Sequence, residues 1–227
     1  MNVIACVPAR GGSKGIVRKN LREVAGKPLV AWSIEAAKQA RLVIRVIVST
    51  DDAEIASVAR SYGAEIHERS IWASTDEAPI EASLVAVGQQ YGPYDWMVTL
   101  QPTSPLRPAG LVDACIQRAV ELERGVFTAQ AMPACWFWQE KTGSEFLDQC
   151  AWDRLAKPQQ RQAVARKGML WKHDGSVSVC ASHVLNVLRD RMGGQPVPYL
   201  TERTVDIDTE ADLELADLLL SRSLVTA

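Results

Sequence analysis

Short runs of β-branched residues alternate along the first two-thirds of the chain with segments whose apolar residues recur at helical spacing. Strands are predicted at 3–7, 44–49, 64–67, 94–101 and 125–130. Helices are predicted at 28–40, 52–62, 77–91 and 109–124. Strands that alternate with helices in this way are typical of βαβ units around one sheet. The sequence therefore predicts an α/β fold with a mostly parallel, doubly wound sheet.

The alternation stops between Met132 and Trp171 and then returns. This segment holds a cluster of tryptophans: Trp136, Trp138, Trp152 and Trp171. A strand at 176–181, a helix at 182–190, and a last strand and helix on either side of Asp206-Ile207-Asp208 are predicted after it. We interpret 132–171 as an insertion within one domain that spans 1–227. Its tryptophans are expected to form an interface or a local core, and stacking on a nucleotide base is the alternative.

Composition limits the class of protein and its partners. With 227 residues and 47% hydrophobic content, one sizeable core is expected. The formal net charge of -2 gives no general attraction to nucleic acid or to a membrane. Five scattered cysteines without a CxxC pair indicate buried thiols in a reducing compartment. With no basic leader and no apolar run long enough to span a bilayer, a cytoplasmic location is expected.

A glycine-rich basic loop follows the first predicted strand. Residues 10–22, here called the basic loop, contain five cations and no acid: Arg10, Lys14, Arg18, Lys19 and Arg22. In open α/β sheets ligands bind at the carboxyl ends of strands, and glycines let backbone amides approach an anion. The spacing is not that of a P-loop ATPase. The basic loop therefore predicts a polyanion site, and a solvated loop is the alternative.

A second polar turn follows the strand at 94–101. Gln101, Thr103, Ser104 and Arg107 surround two prolines in Gln101-Pro102-Thr103-Ser104-Pro105-Leu106-Arg107. Their hydrogen-bonding groups suit a carboxylate and sugar hydroxyls. The alternative is an ordinary turn in which Thr103 or Ser104 caps the next helix.

Two aspartates near the C-terminal end have the spacing of a metal site. Asp206 and Asp208, in the acidic segment 205–209, have the spacing of strand residues i and i+2, so both carboxylates would point to one face of a strand. Mg²⁺ is commonly held by one or two carboxylates together with substrate phosphates. Asp206 is the clearer candidate, because Asp208 has the position of a helix N-cap. Asp51 and Glu54 have the spacing of a capping box and are interpreted as structural.

Other catalytic signatures are missing from the sequence. His67, His173 and His183 form no metal-binding spacing. No serine lies in a GxSxG elbow, and no cysteine and histidine pair suggests acyl transfer.

Taken in order, these segments resemble the acylneuraminate cytidylyltransferases, which include CMP-sialic acid synthetases and relatives for legionaminic and pseudaminic acids. The resemblance covers most of the chain and rests on the opening Pro8 to Asn20, Gly26-Lys27-Pro28-Leu29, Val48 to Asp52, Arg69 with Asp76, Gln101 to Arg107, and Asp206-Ile207-Asp208. It implies a Rossmann-like nucleotidyltransferase fold, CTP and Mg²⁺ as requirements, and a homodimer in which the insertion reaches the partner's active site.

The resemblance also implies roles for individual residues. Nucleotide-binding residues would be Arg10, Gly11, Gly12, Ser13, Lys14, Lys19 and Asn20. Arg69 would contact substrate, Gln101 would contact the sugar acid, and Thr103, Ser104 and Arg107 would shape the pocket for that acid. Asp206 and Asp208 would hold the metal ion, and Arg161 would reach in from the insertion. Lys14, Lys19, Asp208 and Arg161 would be the catalytic set.

Two stretches depart from the family pattern. His173-Asp174-Gly175 stands where many members have Asn-Gly, and Glu77-Ala78-Pro79-Ile80-Glu81 replaces a stretch that is often rich in hydroxyls. Both lie where base or sugar recognition is expected. They therefore concern the identity of the acceptor more than the type of reaction.

The implied reaction is attack by the anomeric hydroxyl of a sialic-acid-like 2-keto sugar acid on the α-phosphorus of CTP, with pyrophosphate leaving. Such chemistry needs alignment and charge neutralisation more than a protein nucleophile. The alternatives are a cytidylyltransferase for another acidic acceptor, such as Kdo or a phosphonate, and a nucleotide-binding homologue without catalysis.

Overall fold

A computed structural model describes residues 1–75, 77–132, 137–138, 148–149, 170–192, 195–202 and 204–225. Its strands, in chain order, are β1 (Val3–Pro8), β2 (Glu23–Val24), β3 (Lys27–Pro28), β4 (Val43–Thr50), β5 (Glu65–Glu68), β6 (Trp96–Thr99), β7 (Val126–Met132), β8 (Phe137–Trp138), β9 (Asp148–Gln149), β10 (Leu170–Ala181) and β11 (Val197–Leu200). Its α-helices are α1 (Leu29–Gln39), α2 (Ala53–Ser61), α3 (Ile80–Tyr91), α4 (Leu111–Leu122), α5 (Ser182–Leu188) and α6 (Glu210–Val225).

The central sheet has seven strands in the order β11-β7-β10-β6-β1-β4-β5. β1 pairs in parallel with β4 and β6, β4 pairs in parallel with β5, and β7 pairs in parallel with β11. β10 runs antiparallel to both of its neighbours. The α/β fold with a mostly parallel sheet is therefore confirmed. Because β1 lies in the sheet interior, the basic loop that follows it emerges at the centre of the carboxyl edge.

Helices cover both faces of the sheet. Val3, Ala5 and Val7 of β1 pack in a cluster with residues of α1, α2 and α4. Ile4 and Cys6 point to the opposite face and pack with residues of α3 and α5. This alternation follows from the two-residue period of a strand. Burying one such aliphatic side chain contributes roughly 1.5–3 kcal/mol, so the two clusters fix the sheet that carries the loops.

A third cluster lies beyond the carboxyl edge. Ile16 of the basic loop packs with Val24 and Leu29, with Ile207 of the acidic segment, and with Leu213 of α6. The β2–β3 hairpin and the start of α1 therefore hold α6 against the basic loop. This packing brings two regions that are far apart in sequence to one place.

The insertion is described only in part. Leu170 pairs with Met132 across β10 and β7, so the intervening chain leaves and rejoins the sheet at neighbouring positions. Within it, β8 and β9 pair as a two-stranded antiparallel sheet. Trp136, Trp152 and Arg161 lie outside the described residues. The predicted use of 132–171 as an arm or lid therefore stays a prediction.

Three of the five cysteines are buried thiols, as predicted. Cys6, Cys115 and Cys180 are free and buried, and burial raises the pKa of each thiol to about 12. Cys135 and Cys150 lie outside the described residues. None of the helices that the structure describes has the length and apolar character needed to cross a bilayer.

Candidate active site

A cavity of about 440 Å³ opens at the carboxyl edge of the sheet. The residues that line it come from the end of β1 and the basic loop, the segment after β5, the turn after β6, and the acidic segment. They are Pro8, Arg10, Ser13, Lys14, Gly15, Lys19, Asn20, Arg69, Ala73, Thr75, Ala78, Ile80, Gln101, Pro102, Thr103 and Asp208. The structure thus brings together most of the residues that were predicted from separate motifs.

Side-chain and backbone contacts hold the basic loop in shape. Asn20 is buried, and its Nδ2 donates to the carbonyl oxygen of Arg10 at 2.9 Å. The backbone N–H of Gly11 donates to Oδ1 of Asp51 at 2.9 Å. Asn20 therefore supports the loop as well as lining the cavity, and Asp51 anchors the loop from β4.

The three glycines of the loop have different surroundings. A Cβ at Gly15 would lie 2.6 Å from the carbonyl oxygen of Asp208, and one at Gly11 would lie 2.8 Å from Oδ2 of Asp52. A Cβ at Gly12 would meet nothing within 4 Å in the described part of the chain. Gly15 is therefore needed for close approach of the basic loop to the acidic segment. Gly11 and Gly12, which were predicted to bind nucleotide, are not among the lining residues given above.

Lys19 ties the basic loop to the acidic segment. Its Nζ donates to the carbonyl oxygen of Ile207 at 2.5 Å and lies 3.3 Å from Oδ1 of Asp208. Only 13% of the Lys19 side chain is exposed, against 75% for Asp208. One cation therefore neutralises part of the acidic segment while its own position is fixed by a backbone carbonyl.

Asp206 and Asp208 occupy different environments within the acidic segment. The side chain of Asp206 bonds to that of Thr103, and the backbone N–H of Ile207 donates to the carbonyl oxygen of Thr103 at 2.8 Å. Burial, and after it the nearby charge of Asp208, raise the pKa of Asp206, while the bond from Thr103 opposes the shift. The negative charges of two neighbouring carboxylates repel each other, and a bound cation stabilises the ionised form of both. In this respect the pair fits a divalent ion.

The donor set also fits the way in which Mg²⁺ binds. Among the described residues no group of three or more His, Cys, Asp or Glu side chains is placed to hold a metal ion. A site with two carboxylates relies on substrate phosphates and water for its other ligands, which is usual for Mg²⁺. Three cations of the basic loop, Arg10, Lys14 and Lys19, line the same cavity as Asp208.

Two expectations for this region are corrected by the structure. Asp206-Ile207-Asp208 belongs to no strand, since β11 ends at Leu200. Asp208 does not cap α6 with its side chain: Oδ2 of Asp212 accepts from the backbone N–H of Thr209 at 2.9 Å, and the N–H of Asp212 donates to Oγ1 of Thr209 at 3.3 Å. Because this reciprocal pair closes the helix start, the Asp208 carboxylate is left to Lys19 and the cavity.

A similar correction applies to α2. Its N-cap is Asp52, whose Oδ1 accepts from the backbone N–H groups of Glu54 and Ile55. Asp51 was predicted to begin a capping box, but it bonds to Gly11, and Glu54 pairs with Arg18 at 2.7 Å. Both acids are structural, as expected, through other partners than predicted.

Only part of the turn after β6 reaches the cavity. Gln101 and Thr103 line it, whereas Ser104 is buried and its Oγ donates to the carbonyl oxygen of Asp174 at 2.6 Å. Neither Thr103 nor Ser104 caps α4, whose N-cap is Gly110. The sequence did not distinguish residues that face the cavity from residues that support them.

Arg107 is one of the supporting residues. Its guanidinium donates to the carbonyl oxygens of Gln101 and Ser176 and to Oγ of Ser33. Burial lowers the pKa of Arg107 to about 9, and the charge of Asp174 opposes this shift. Ser104 and Arg107 thus lie behind the cavity wall and hold the backbone of Gln101, a different position from the one expected of substrate ligands.

Asp174 explains one departure from the family pattern. Its buried carboxylate accepts from the hydroxyls of Thr128 and Thr201 and from the backbone N–H of Ser176. The next residue, Gly175, has φ of 74°, and a Cβ there would lie 2.8 Å from Oγ of Ser104. Asp174 therefore stabilises a bulge in β10 behind the cavity and is not a lining residue.

The segment after β5 supplies the remaining wall. Arg69 lines the cavity, and its Nε donates to Oγ of Ser49 at 3.3 Å. Beyond Arg69 the lining residues Ala73, Ala78 and Ile80 are apolar, and Thr75 is polar. Sequence reasoning missed Ala73 and Thr75, whose position just after a strand of the parallel sheet was the available signal. Ala78 and Ile80 belong to the stretch that departs from the family pattern, where base or sugar recognition was expected. Asp76, and Arg161 of the insertion, lie outside the described residues.

Comparisons with known proteins agree with this geometry. The family model for cytidylyltransferases matches residues 4–135. N-acylneuraminate cytidylyltransferase A of Danio rerio is 40% identical over 114 residues, which cover 50% of this chain and 26% of that protein. The N-acylneuraminate cytidylyltransferase of Escherichia coli O18:K1:H7 is 37% identical over 122 residues, which cover 54% and 29%. The matched stretch thus spans less than a third of these two relatives.

Other similar proteins match over nearly their whole length. CMP-N,N'-diacetyllegionaminic acid synthase of Legionella pneumophila is 27% identical over 231 residues, which cover 97% of both chains. Among solved structures, a CMP:2-keto-3-deoxy-manno-octonic acid synthetase complexed with CTP superposes with a TM-score of 0.73 at 20% identity, over 98% of this chain and 100% of that chain. The structural likeness establishes a Rossmann-like cytidylyltransferase fold.

Proposed function

Because the chain belongs to the cytidylyltransferase family, whose model matches 132 of its 227 residues (4–135), we propose that it transfers CMP from CTP to the anomeric hydroxyl of a sialic-acid-like 2-keto sugar acid and releases pyrophosphate. The observation that carries the proposal is one cavity lined both by the cations of the basic loop and by Gln101, Thr103 and Asp208. A triphosphate needs the first group, and a polyhydroxylated acid needs the second.

The basic loop is assigned to the triphosphate. Arg10, Lys14 and Lys19 line the cavity in a chain whose formal net charge is -2. Cations fixed beforehand next to the phosphates offset the charge that develops on the leaving pyrophosphate, with little reorganisation during the reaction. The tie from Lys19 to Ile207 supports this assignment, because it fixes the ammonium group before substrate binds.

Gln101 and Thr103 are assigned to the sugar acid. Both line the cavity beside Asp208, and the buried Ser104 and the partly buried Arg107 hold the turn that carries them. An amide and a hydroxyl can donate to a carboxylate and accept from hydroxyls. The acceptor would therefore lie between the turn after β6 and the acidic segment.

We assign Mg²⁺ to Asp206 and Asp208. When bound, the ion would neutralise phosphate charge and favour ionisation of the attacking hydroxyl. Asp206 is held by Thr103, while the exposed Asp208 faces the cavity next to Lys19. Asp208 would then orient the acceptor hydroxyl or receive its proton.

The proposed reaction needs no protein nucleophile. The anomeric oxygen forms a bond to the α-phosphorus of CTP, the bond from that phosphorus to the pyrophosphate oxygen breaks, and the hydroxyl proton passes to the Asp208 carboxylate or to water. Residues on both sides of the cavity align the two substrates, and alignment of this kind can contribute several kcal/mol.

The choice of acceptor is supported by the relatives. Their names specify N-acylneuraminate and diacetyllegionaminic acid, and the pseudaminic acid cytidylyltransferase of Campylobacter jejuni is 32% identical over 127 residues. A Kdo-like acid is the alternative, since a carboxylate and hydroxyls would satisfy the same Gln101 and Thr103 chemistry.

We further propose that the protein is a cytoplasmic homodimer with the insertion 132–171 as its arm. The free buried thiols of Cys6, Cys115 and Cys180 suit a reducing compartment. The insertion leaves the sheet from the paired ends of β7 and β10, a position from which a hairpin can project. Neither nucleic acid nor a membrane is expected as a partner.

Pyrophosphate release with each of the four nucleoside triphosphates, across a panel of sugar acids, tests the proposal. We expect release only with CTP and a nonulosonic acid. Lys14→Ala should raise the KM for CTP or lower kcat, whereas Arg118→Ala, which removes an exposed cation of α4, should change neither. Acceptor-independent release, or equal rates with all four nucleotides, would contradict the assignment.

A further inference from the structure

A chain of three polar residues leads from the buried sheet to one wall of the cavity. Ser49 of β4 and His67 of β5 are directly paired in the sheet register, and Arg69 follows β5. Oγ of Ser49 lies 3.0 Å from Nδ1 of His67 and 3.3 Å from Nε of Arg69. Ser49 is fully buried and His67 is 7% exposed. The contact between Ser49 and His67 is buried, and the contact between Ser49 and Arg69 is partly buried, so Ser49 depends on its two neighbours for its hydrogen bonds.

The donors and acceptors in this chain can be assigned from chemistry. A guanidinium nitrogen can only donate, so Oγ of Ser49 accepts from Arg69. The hydroxyl proton of Ser49 then needs an acceptor, and Nδ1 of His67 is in reach. This arrangement requires a neutral His67 with its proton on Nε2. Burial and the charge of Arg69 lower the pKa of His67, which favours the same neutral form.

The guanidinium group of Arg69 has a hydrogen-bond donor that a ligand could use. Its Nη2 is buried and has no hydrogen-bond partner among the described residues, while Arg69 itself lines the cavity. A buried guanidinium N–H without an acceptor costs free energy, and a ligand oxygen would remove that cost. Because the Nε bond to Ser49 restricts rotation of the planar group, it also determines where Nη2 points.

The strand order indicates which substrate Arg69 meets. Gln101 and Thr103 follow β6, the basic loop follows β1, and Arg69 follows β5, on the other side of β1 and β4. The acidic segment bonds to Thr103 and so lies on the β6 side. If the acceptor and the metal ion occupy that side, the nucleoside of CTP extends towards Arg69.

We propose that the Ser49–His67 pair is a positioning device for Arg69, which it holds in the orientation that binds the nucleotide. The pair does not contact substrate. It acts through Arg69, so its loss should weaken nucleotide binding more than it slows turnover at saturation. This inference rests on the proposed function for the identity of the ligand.

The hydrogen-bond polarity can be measured without any ligand. Two-bond ¹H–¹⁵N spectra of the histidine side chains report which ring nitrogen carries the proton. We expect the Nε2–H form for His67 in the folded wild-type protein, with assignment through His67→Asn. A proton on Nδ1 would make both His67 and Arg69 donors to Oγ of Ser49, so that His67 no longer accepts the hydroxyl proton. This result would overturn the proposal.

Nucleotide binding tests the positioning role. His67→Leu removes the acceptor for Ser49, and we expect the Kd for CTP to rise about tenfold with a smaller change in kcat. His67→Asn offers an amide oxygen near the position of Nδ1 and should restore most of the binding. His173→Leu is the matched control, because His173 is also partly buried and bonded to a serine, Ser178 at 3.1 Å, but on β10.

Each outcome has a distinct meaning. Wild-type affinity in His67→Leu, an equal loss in His173→Leu, or no recovery in a folded His67→Asn would overturn the positioning role. If His67→Leu does not fold, Ser49→Ala replaces it, with the same expected loss of affinity. Absence of CTP binding by the wild-type protein would refute the proposed function instead, and the ring-proton measurement would still decide the Ser49–His67 polarity.

Discussion

Individual residues of the site divide into those that face the cavity and those that hold them. Asp208 and Lys19 face it and bond to each other, whereas Arg107 lies behind Gln101 and holds the backbone of that residue. The sequence identified all of these positions by residue type and order. It did not separate the two classes, because only the packing of β10 against the turn after β6 decides which side chains are buried.

The metal assignment can be tested at Asp206. We expect Asp206→Asn to lower kcat by more than 100-fold, on the order of 3 kcal/mol, because the substitution removes one of two carboxylates while keeping the side-chain shape. The measurement is kcat as a function of Mg²⁺ concentration. The thermal unfolding midpoint should be unchanged, which shows that the variant folds. Glu214→Gln, which removes an exposed acid of α6, is the control. Full activity of Asp206→Asn at saturating Mg²⁺ would refute the assignment.

Two histidines, the buried His67 and the partly buried His173, predict how stability depends on pH. Burial is the main cause that lowers the pKa of both His67 and His173, so the unfolded chain binds more protons than the folded one just below the ordinary histidine pKa. The free energy of unfolding should therefore fall as the pH is lowered from about 7.5 to about 5.5. Urea unfolding of the wild type, His67→Leu and His173→Leu at both pH values measures this. A pH dependence as steep in both variants as in the wild type would assign the effect to other titratable groups.

At the scale of elements, the sheet and its helices could be predicted from sequence because burial imposes clear periods. β1, β4 and β5 lie within a residue or two of their predicted bounds, and α1 and α2 do as well. The acidic segment was harder to predict. Its alternating Asp206-Ile207-Asp208 was interpreted as strand spacing, but Ile207 is buried against the basic loop and α6 rather than in a sheet. Alternation of polar and apolar residues indicates that one side of a segment is buried. It does not indicate whether a sheet, a loop or a helix covers that side.

The contact between the basic loop and the acidic segment should depend on Gly15. We expect Gly15→Ala to lower the free energy of unfolding by about 1–3 kcal/mol, because the new Cβ would press on the carbonyl oxygen of Asp208. Gly12→Ala, whose Cβ would meet nothing within 4 Å in the described structure, should leave stability nearly unchanged. Denaturant unfolding compares the two. Equal stabilities would show that the loop can move away from the acidic segment at little cost.

At the scale of the whole molecule, the sheet presents one edge to the ligands and projects the insertion from the β7–β10 pair. The tryptophan cluster and the loss of βα alternation predict an interaction arm, and a lid on the same subunit is the alternative. Sequence could not choose between them, because both uses bury apolar side chains.

An exchanged arm predicts complementation between two inactive chains. Arg161→Ala and Asp206→Asn should each be nearly inactive alone, and mixed dimers should regain part of the activity because one of their two sites would be intact. The measurement is turnover after co-expression and purification of the mixed dimer through two different tags. A monomer at micromolar concentration, or no recovery in verified mixed dimers, would favour the lid.

We propose that this cavity joins a nucleoside monophosphate to a sugar acid. Mass spectrometry of the products formed from CTP and a nonulosonic acid tests this proposal. We expect a product whose mass equals CTP plus the acid minus pyrophosphate, with one pyrophosphate for each product and none without the acid. Free CMP as the only nucleotide product, or the same conjugate yield from UTP, would contradict it.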